Sequence, residues 1–336
     1  MALTDSFQRP LRDLRISVTD RCNFRCVYCM PKELFGPDFA FLPHKDLLTF
    51  EEISRLVRVF VRGGVKKVRL TGGEPLLRRD IEKLVAQIAE IDGVEDIAMT
   101  TNGSLLTRER AQVLKNAGLQ RVTVSLDSLK DDVFMKMNDV HFPVSKVLKA
   151  IDAAAEAGLT PVKVNMVVKR GLNDEDIVEM AQQFRGTGHI LRFIEYMDVG
   201  NSNGWRMDDV VSAKDILNSI HEVWPLETVP PRHAGEVATR YRYQDGKGEI
   251  GVVSSVTRPF CGACNRSRLS AKGRLYTCLF ASDGFDFREL LRSGKSDEEV
   301  FGALSELWGL RSDRYSELRS DETRRRNKIE MSQIGG

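Results

Sequence analysis

The first two thirds of the chain alternate between two hydrophobic patterns. Six short β-rich runs lie between residues 14 and 197, separated by amphipathic helical stretches; the runs are LRISVT, KVRLTGG, DIAMTTNG, RVTVSLDS, PVKVNMVV and LRFIEYM. Strands that alternate with helices predict an α/β protein with a parallel sheet. Six such units favour an incomplete (β/α)6 TIM-like barrel, and an open doubly wound sheet is the alternative.

A second alternation lies inside the strands themselves. Parallel strands covered by helices are normally continuous apolar runs, but here every other residue of several strands is polar. These positions are Arg15, Ser17 and Thr19; Lys67, Arg69 and Thr71; Arg121, Thr123, Ser125 and Asp127; and Lys163 and Asn165. Because buried lysines and arginines need partners, the pattern predicts a cationic interior that takes a large anionic ligand. Charge pairing within the sheet, or antiparallel strands with one solvated face, is the alternative.

The pattern changes after the sixth strand. A Gly/Asn-rich loop, DVGNSNGW, is followed by a predicted short helix over residues 213–221 and by the strands TRYRYQ and GEIGVVSSV. The stretch SRLSAKGRLYTCLF predicts a hairpin that turns at Lys272 and Gly273. We therefore predict a partial barrel over residues 1–222 and a C-terminal extension over residues 223–336. The final charged run, RSDETRRRNKIEMSQIGG, is typical of a solvated tail.

Composition narrows the class of protein. The 336 residues have an ordinary globular composition, and a net charge of +2 gives no general field for nucleic acid or a membrane surface. The N-terminus lacks the apolar segment of a signal peptide, and no apolar run approaches about 18 residues, so we expect a cytoplasmic protein. Six cysteines fall in two groups of three. In a reducing compartment such groups favour metal binding over disulfides.

The first cysteine group, Cys22, Cys26 and Cys29, lies in TDRCNFRCVYCM directly after the first strand. A structural zinc site needs four ligands, and a ferredoxin-like run supplies a fourth cysteine. Three thiolates can instead hold three irons of a four-iron cubane and leave one iron open. The position after a strand places this group at the C-terminal mouth of the predicted barrel.

The second group consists of Cys261, Cys264 and Cys278, again without a nearby fourth ligand. A second cubane with an open iron fits this count, and zinc completed by a distant aspartate or histidine is the alternative. Arg266 and Arg268 are two residues apart in an extended segment and so face the same way. This spacing suits a phosphate or a base, although solvated strand arginines would show it too.

The CNFRCVYC spacing resembles the signature of the radical S-adenosylmethionine superfamily, and TGGEP at residues 71–75 resembles a second motif of that superfamily. The resemblance implies that the amino and carboxylate groups of S-adenosylmethionine chelate the open iron of a 4Fe-4S cluster. An electron from that cluster would then release a 5'-deoxyadenosyl radical. The resemblance also implies that the cofactor-binding residues are Tyr28, Gly73, Glu74, Ser125 and Met197.

Nearly the whole chain resembles the GTP 3',8-cyclase family, which carries out the first step of molybdenum cofactor biosynthesis. The resemblance rests on LRISVTDRCNFRCVYCMP, KVRLTGGEPLLR, TTNG, VSLDSL, FIEYMDVGNSNGW and CGACNRSRL, in that order. It implies conversion of GTP to (8S)-3',8-cyclo-7,8-dihydroguanosine 5'-triphosphate. The radical would take hydrogen from ribose C3', and the new carbon radical would attack guanine C8. A second 4Fe-4S cluster would hold the guanine through its open iron.

The same resemblance assigns further residues and partners. Substrate contacts are expected from Arg15, Lys67, Arg69, Thr100, Lys163, Arg192, Arg266, Ser267 and Arg268. Gly335 and Gly336 match a tandem-glycine tail that enters the active site, so the end of the charged run becomes a catalytic segment. Expected partners are GTP, a one-electron reductant and the next-step cyclic pyranopterin phosphate synthase, with a homodimer left open and no nucleic acid or membrane. The rival classes are a radical peptide-modifying enzyme, which usually carries more cysteines, and a zinc-binding interaction module.

Overall fold

The computed structural model describes residues 2–320 and 327–335. Within these residues twelve strands form a single sheet. Its centre consists of the six predicted strands, paired in parallel in chain order. These strands are β1 (Asp13–Ser17), β2 (Lys67–Thr71), β3 (Asp96–Thr101), β4 (Arg121–Ser125), β5 (Lys163–Val168) and β6 (Ile190–Glu195). The predicted α/β fold with a parallel-rich sheet is confirmed.

Helices connect the successive strands. They are α1 (Phe50–Arg62), α2 (Ile81–Ala89), α3 (Arg108–Asn116), α4 (Asp131–Asn138), α5 (Val144–Glu156) and α6 (Ile177–Phe184). The start of α1 shows why the chain turns into a helix there. The Thr49 side chain accepts from the Glu52 amide and the Glu52 side chain accepts from the Thr49 amide, which satisfies two amides that the first turn leaves unpaired.

The two faces of the sheet differ as the strand pattern predicts. Apolar residues on one face, such as Ile16, Leu70, Val122 and Phe193, are fully buried within the main hydrophobic core. The intervening residues are polar and point the other way, because successive side chains of a strand alternate between faces. Packing of the helices on the apolar face leaves the polar face for a ligand.

The C-terminal third extends the sheet at both edges. At one edge β6 pairs in parallel with β9 (Glu249–Val253), which continues to β8 (Thr239–Tyr243) and β7 (Leu226–Val229). At the other edge β1 pairs in parallel with β10 (Arg266–Leu269), followed by β11 (Arg274–Tyr276) and β12 (Phe285–Asp286). The predicted strands and the hairpin are confirmed, whereas their addition to the parallel sheet was not predicted.

Four further helices complete the described residues, and they are α7 (Ala213–His221), α8 (Phe287–Arg292), α9 (Asp297–Gly309) and α10 (Met331–Ile334). The predicted helix over residues 213–221 is therefore confirmed. No helix in the described part of the chain combines the length and the apolar character needed to cross a bilayer. The division of the chain at residue 222 stays a prediction.

Candidate active site

The carboxyl ends of the parallel strands lie at one edge of the sheet, and the loops there carry most of the predicted site. The first cysteine group follows β1, the TGGEP motif follows β2, and the Asn102 loop follows β3. Loops in this position build the active sites of barrel-like α/β proteins. The sequence therefore brings three separate motifs to one place.

The three cysteines of the first group are half-buried in the loop after β1. Burial raises the pKa of Cys26, and the nearby charges of Asp127, Cys22 and Cys29 raise it further. Burial, followed by the charge of Glu74, raises the pKa of Cys22 to about 11. A turn fixes the loop, because the Cys29 amide donates to the Cys26 carbonyl at 2.9 Å. A metal cluster bound here would supply the positive charge that favours the thiolate form of these cysteines.

The glycines of TGGEP lie against the cysteine loop. A Cβ on Gly73 would come within 2.2 Å of the Arg21 carbonyl oxygen, so no other residue fits there without a shift of the backbone. The Gly73 amide donates to the Thr19 carbonyl at 2.9 Å, and the Glu74 amide donates to the Arg21 carbonyl at 2.8 Å. These contacts fix the position of the cysteine loop relative to β2. The assignment of Gly73 to cofactor binding stays a prediction.

Glu74 is buried and joins two loops. Its carboxylate accepts from the Leu76 amide at 3.1 Å, the Thr101 hydroxyl at 2.7 Å and the Asn102 amide at 2.7 Å. Burial raises the pKa of Glu74 to about 7, against the opposing effect of these hydrogen bonds. Asn102 also donates to the Cys22 sulfur at 3.9 Å. Glu74 thus links the second and third loops beside the first thiol.

Tyr28 is held by a residue that the sequence analysis placed in a polar strand face but not in the site. The Tyr28 hydroxyl donates to the Asp127 carboxylate at 2.9 Å, and the other oxygen of Asp127 accepts from the Val167 amide at 2.9 Å. Burial raises the pKa of Asp127 to about 6. Ser125 ends β4 opposite Asn165 of β5, two residues before this carboxylate. Asp127 therefore fixes Tyr28 at the mouth of β4.

Arginines from neighbouring strands meet on the polar face. In the register of the sheet Arg15 lies opposite Arg69 on one side and opposite Arg268 on the other. Burial and the charge of Arg268 lower the pKa of Arg15 well below its usual range. Burial also lowers the pKa of Arg268 to about 10 and that of Arg192 to about 9. These arginines are buried close to one another, so their positive charges repel. A bound anion would relieve this repulsion.

Unpartnered donors point to the same conclusion. In the part of the chain that the structure describes, the buried guanidinium nitrogens without a hydrogen-bond partner include Nε of Arg15, Arg69, Arg192 and Arg266. Buried donors of this kind are costly unless a ligand or water satisfies them. Burial and the charge of Arg192 lower the pKa of Lys163 to about 7. The donor set fits a polyanion such as a triphosphate.

Several residues of the polar face have partners within the protein. The Thr123 hydroxyl accepts from Arg69 at 3.2 Å and from Arg192 at 3.3 Å, and Arg69 also donates to Thr100 at 3.0 Å. Lys67 lies 3.4 Å from the Asp13 carboxylate, so the alternative of charge pairing within the sheet holds for this lysine. Thr123, which lies on the polar face but was not among the predicted site residues, orients two of the predicted substrate-binding arginines.

The second cysteine group lies beside the same arginines. The Arg266 guanidinium donates to the Cys264 sulfur at 3.6 Å. Burial would raise the pKa of Cys264, but the charges of Arg266 and Arg311 outweigh it and lower this pKa to about 6. Burial, followed by the charge of Asp313, raises the pKa of Cys278 to about 12. The thiols of Cys264 and Cys261 also contribute to the raised pKa of Cys278.

A buried ion-pair network fixes the backbone of the second cysteine loop. Asp5 pairs with Arg9 at 2.6 Å and with Arg311 at 2.9 Å, and all three side chains are at most 2% exposed. Arg9 donates to the Cys261 carbonyl at 2.8 Å, and Arg311 donates to the Cys264 carbonyl at 2.9 Å. The N-terminal segment was not part of the predicted site. In the sequence, only its charged residues could have indicated that it supports the second cysteine loop.

Neither cysteine group has the arrangement of a single-ion site. Among the residues that the structure describes, no three histidine, cysteine, aspartate or glutamate side chains converge as the ligands of one metal ion do. The ligand assignments of the six cysteines stay a prediction.

The end of the chain reaches the arginines. Arg268 donates to the Gly335 carbonyl oxygen, and a Cβ on Gly335 would come within 2.1 Å of the Thr71 side chain at the end of β2. The backbone angle φ of Gly335 is +69°, which favours glycine. The tail is therefore not solvated at this point, contrary to the first interpretation of the charged run. Gly336 lies outside the described residues.

Comparison with known proteins places the chain in a family. The model of the Radical SAM superfamily matches residues 16–184, and the Molybdenum Cofactor Synthesis C model matches residues 189–317. The crystal structure of Streptococcus suis SuiB bound to S-adenosylmethionine has a TM-score of 0.63 at 15% identity, covering 94% of this chain and 72% of SuiB, which shows a shared fold. The fold and the cysteine loop thus define a radical S-adenosylmethionine protein.

The relatives are more specific. The GTP 3',8-cyclase of Acidothermus cellulolyticus is 54% identical, and that of Staphylococcus carnosus is 50% identical, each over 99% of both chains. This chain belongs to the GTP 3',8-cyclase family. The resemblance drawn from the sequence motifs is confirmed.

Proposed function

We propose that this chain converts GTP to (8S)-3',8-cyclo-7,8-dihydroguanosine 5'-triphosphate, the first step of molybdenum cofactor biosynthesis. The observation that carries the proposal is the row formed by Arg69, Arg15 and Arg268 on three adjacent strands. The row crosses β1, whose following loop carries the first cysteine group, and ends on β10, the strand that follows Cys264. Family membership identifies the nucleotide, and the arginine row explains how its phosphates would be held.

The two cysteine groups would hold the cofactors. Cys22, Cys26 and Cys29 would bind one 4Fe-4S cluster together with S-adenosylmethionine. Cys261, Cys264 and Cys278 would bind the other cluster. When bound, the first cluster and S-adenosylmethionine supply a primary carbon radical, and the second cluster supplies an iron position open to the substrate.

The protein's own side chains bind and orient the nucleotide. Arg15, Arg69 and Arg268 would grip the triphosphate, because guanidinium groups pair with phosphate oxygens in bidentate geometry. Arg266, beside Cys264, would contact the guanine end. Thr123 fixes the angle between two arginines before substrate arrives, and this preorganisation lowers the ordering cost of binding. A reactive radical requires such fixed geometry, since small displacements of the reacting atoms lead to large rate losses.

We also propose that the sheet curves into an incomplete (β/α)6 barrel with a cluster-binding extension that starts near residue 223. Thr123 of β4 accepts from side chains of both β2 and β6. Strands two positions apart in a flat sheet are separated by about 9.6 Å. Arg69 and Arg192 are expected to reach the short Thr123 side chain from both sides when the polar face is concave.

The remaining assignments follow from the family. Tyr28, Ser125 and Met197 would contact S-adenosylmethionine, and Gly335 and Gly336 would take part in catalysis. We expect a one-electron reductant, transfer of the product to the cyclic pyranopterin phosphate synthase, a cytoplasmic location, and a homodimer as one assembly to test.

The decisive experiment is an anaerobic reaction of the reconstituted protein with GTP, S-adenosylmethionine and a reductant. We expect about eight irons per chain, as two four-iron clusters require. We also expect 5'-deoxyadenosine that depends on GTP, and a cyclised nucleotide of unchanged mass that mass spectrometry and NMR identify. Deoxyadenosine formed without GTP dependence would favour a peptide-modifying enzyme. Stoichiometric zinc without iron would favour an interaction module.

A matched pair of variants tests the substrate residues. Replacement of Arg266 and Arg268 by alanine should lower GTP cyclisation more than basal cleavage of S-adenosylmethionine, because these arginines lie on the nucleotide side of the site. Replacement of the exposed Arg242 by alanine is the control. Equal losses in both activities of the double variant would contradict a substrate role.

A further inference from the structure

The last described residues, 327–335, are fixed by the loop that follows β6. The Lys328 ammonium donates to the Asp198 carbonyl at 2.6 Å, to its carboxylate at 3.1 Å and to the Tyr315 hydroxyl at 3.1 Å. The side chains of Lys328 and Asp198 are only 3% and 5% exposed. Asn201 donates to the Lys328 carbonyl at 2.6 Å and accepts from its amide at 3.1 Å. A buried ion pair with backbone hydrogen bonds on both sides is a specific attachment.

Glu330 makes a second attachment to the same loop. Its carboxylate accepts from the Asn201 amide at 2.9 Å and from the Ser202 hydroxyl at 2.7 Å. Gly200 has a φ of +63°, and a Cβ there would come within 2.2 Å of the Glu330 carboxylate. The loop therefore has the shape that receives this side chain, and a larger residue at Gly200 would displace it.

The tail also contacts the loop that follows Cys278. The Ile329 amide donates to the Ala281 carbonyl at 2.8 Å. Phe280 of that loop stacks on Tyr315 with 4.3 Å between ring centroids, and Tyr315 in turn contacts Lys328. The tail thus bridges two loops, one from each predicted unit of the chain.

The two loops border predicted cofactor positions, and a rigid element follows the attachment. Met197 directly precedes Asp198, and its carbonyl accepts from Asn203 at 2.9 Å. After Glu330 the chain forms α10, whose Ile334 is fully buried. Gly335 then lies beside Thr71 and Arg268. A fixed Glu330 and a packed helical turn together determine where Gly335 lies.

We propose that Lys328 and Glu330 are positioning residues, which place Gly335 beside Arg268 by fixing the tail to the β6 loop and to the loop after Cys278. This inference rests on the proposed function, because it assigns a task to the tail in GTP cyclisation. Neither residue is among the predicted substrate- or cofactor-binding residues, and each would act through the terminal glycines.

The first test measures the tail itself. Hydrogen exchange is followed in the fully loaded enzyme for the peptide that covers residues 327–335, in the variants Lys328→Met and Glu330→Gln. We expect exchange at least about tenfold faster than in the wild type, because local opening becomes easier when the attachment is lost. The controls are Lys247→Met and Glu222→Gln, which change exposed residues of the same types and should leave exchange unchanged. Lys328→Met should fold, since Asp198 keeps its ion pair with Arg319 at 3.1 Å.

The second test separates positioning from a general structural effect. We expect kcat/KM for GTP to fall at least about tenfold in Lys328→Met, with full iron content. Deletion of Gly335 and Gly336 should give a larger loss, and addition of Lys328→Met to that deletion should lower activity no further, since residues that act through one another are not additive. Additive losses, or wild-type exchange in both tail variants, would overturn the proposal.

The two tests distinguish the two levels of inference. If the wild type did not consume GTP, the proposed function would be wrong, while the exchange data would still report whether the tail is fixed in this way. If the wild type cyclised GTP and the tail variants matched their controls, only the positioning proposal would fail.

Discussion

Replacement of Thr123 by valine should weaken GTP binding without disturbing the cofactor end of the site. Valine has nearly the shape of threonine but no hydroxyl. Thr123 is 2% exposed and accepts from Arg69 at 3.2 Å and from Arg192 at 3.3 Å. In the variant Arg192 loses this acceptor and Arg69 keeps only its bond to Thr100 at 3.0 Å, so the site must order Arg192 fully and Arg69 in part when GTP arrives.

The magnitude follows from how far the two side chains are released. Ordering one flexible side chain at a binding site costs about 0.5 to 1.5 kcal/mol, so full release of Arg192 and partial release of Arg69 give about 1 to 2 kcal/mol. This corresponds to a dissociation constant for GTP that rises roughly 5- to 30-fold. The assay is anaerobic calorimetry of GTP binding to the loaded enzyme, together with KM for GTP. Thr123→Ser is the matched control, because it keeps the hydroxyl and should stay within about threefold of the wild type.

Two results would refute this reasoning. The valine variant would bind GTP as the wild type does if Arg69 and Arg192 keep their directions without Thr123. The serine variant would bind as weakly as the valine variant if the lost methyl group matters and not the hydroxyl. The affinity for S-adenosylmethionine serves as an internal reference and should not change in either variant.

Three further predictions address other parts of the site. The pKa of Lys163 is lowered to about 7 by burial and by the charge of Arg192, so this lysine must take up a proton to bind a triphosphate above that pH. KM for GTP should therefore rise by up to about tenfold per pH unit between about pH 7 and pH 9, and the slope should flatten in Lys163→Met; an unchanged slope would contradict this. Gly73→Ala places a Cβ 2.2 Å from the backbone of the cysteine loop, so the iron content should fall towards about four atoms per chain. The control is Gly302→Ala on α9, where the added Cβ meets open space, and its iron content should stay at about eight. Asp5→Asn removes the buried charge between two arginines, which should lower the free energy of unfolding by about 3 to 5 kcal/mol and deplete the second cluster. Thermal denaturation and iron analysis measure the two effects. A variant with unchanged stability would show that the network is not needed.

Much of the architecture could be predicted because it depends on local patterns. The alternation of Arg15 with Ile16 and of Arg69 with Leu70 predicted both the strands and the difference between their faces, and the structure confirms both. The helix over residues 213–221 was predicted with the bounds that the structure has. The two cysteine groups were visible in the sequence as short spacings. The turn that joins Cys26 and Cys29 keeps these two residues close together.

The rest depends on contacts between distant segments. Lys328 and Glu330 lie in a charged run that is typical of solvent exposure, and only the β6 loop, more than a hundred residues earlier, shows why Lys328 is buried and Glu330 is hydrogen-bonded. Asp5 could not be connected with the second cysteine loop because the link passes through Arg311 near the other end of the chain. Thr123 was visible as a polar strand residue, but its two arginine partners come from β2 and β6, on either side of its own strand, and such contacts between distant segments leave no mark in the local pattern.

The outer strands of the six-strand parallel core, β1 and β6, are both hydrogen-bonded to strands from the last third of the chain. An unpaired strand presents amide and carbonyl groups to any other extended polypeptide. A fragment that ended at residue 222 would expose two such templates on opposite sides of one molecule, and it should polymerise when expressed alone. Coexpression with the remaining fragment should restore a monodisperse species, because each fragment supplies the pairing that the other lacks. Gene fusion or exchange of modules in this family should therefore preserve both fragments together.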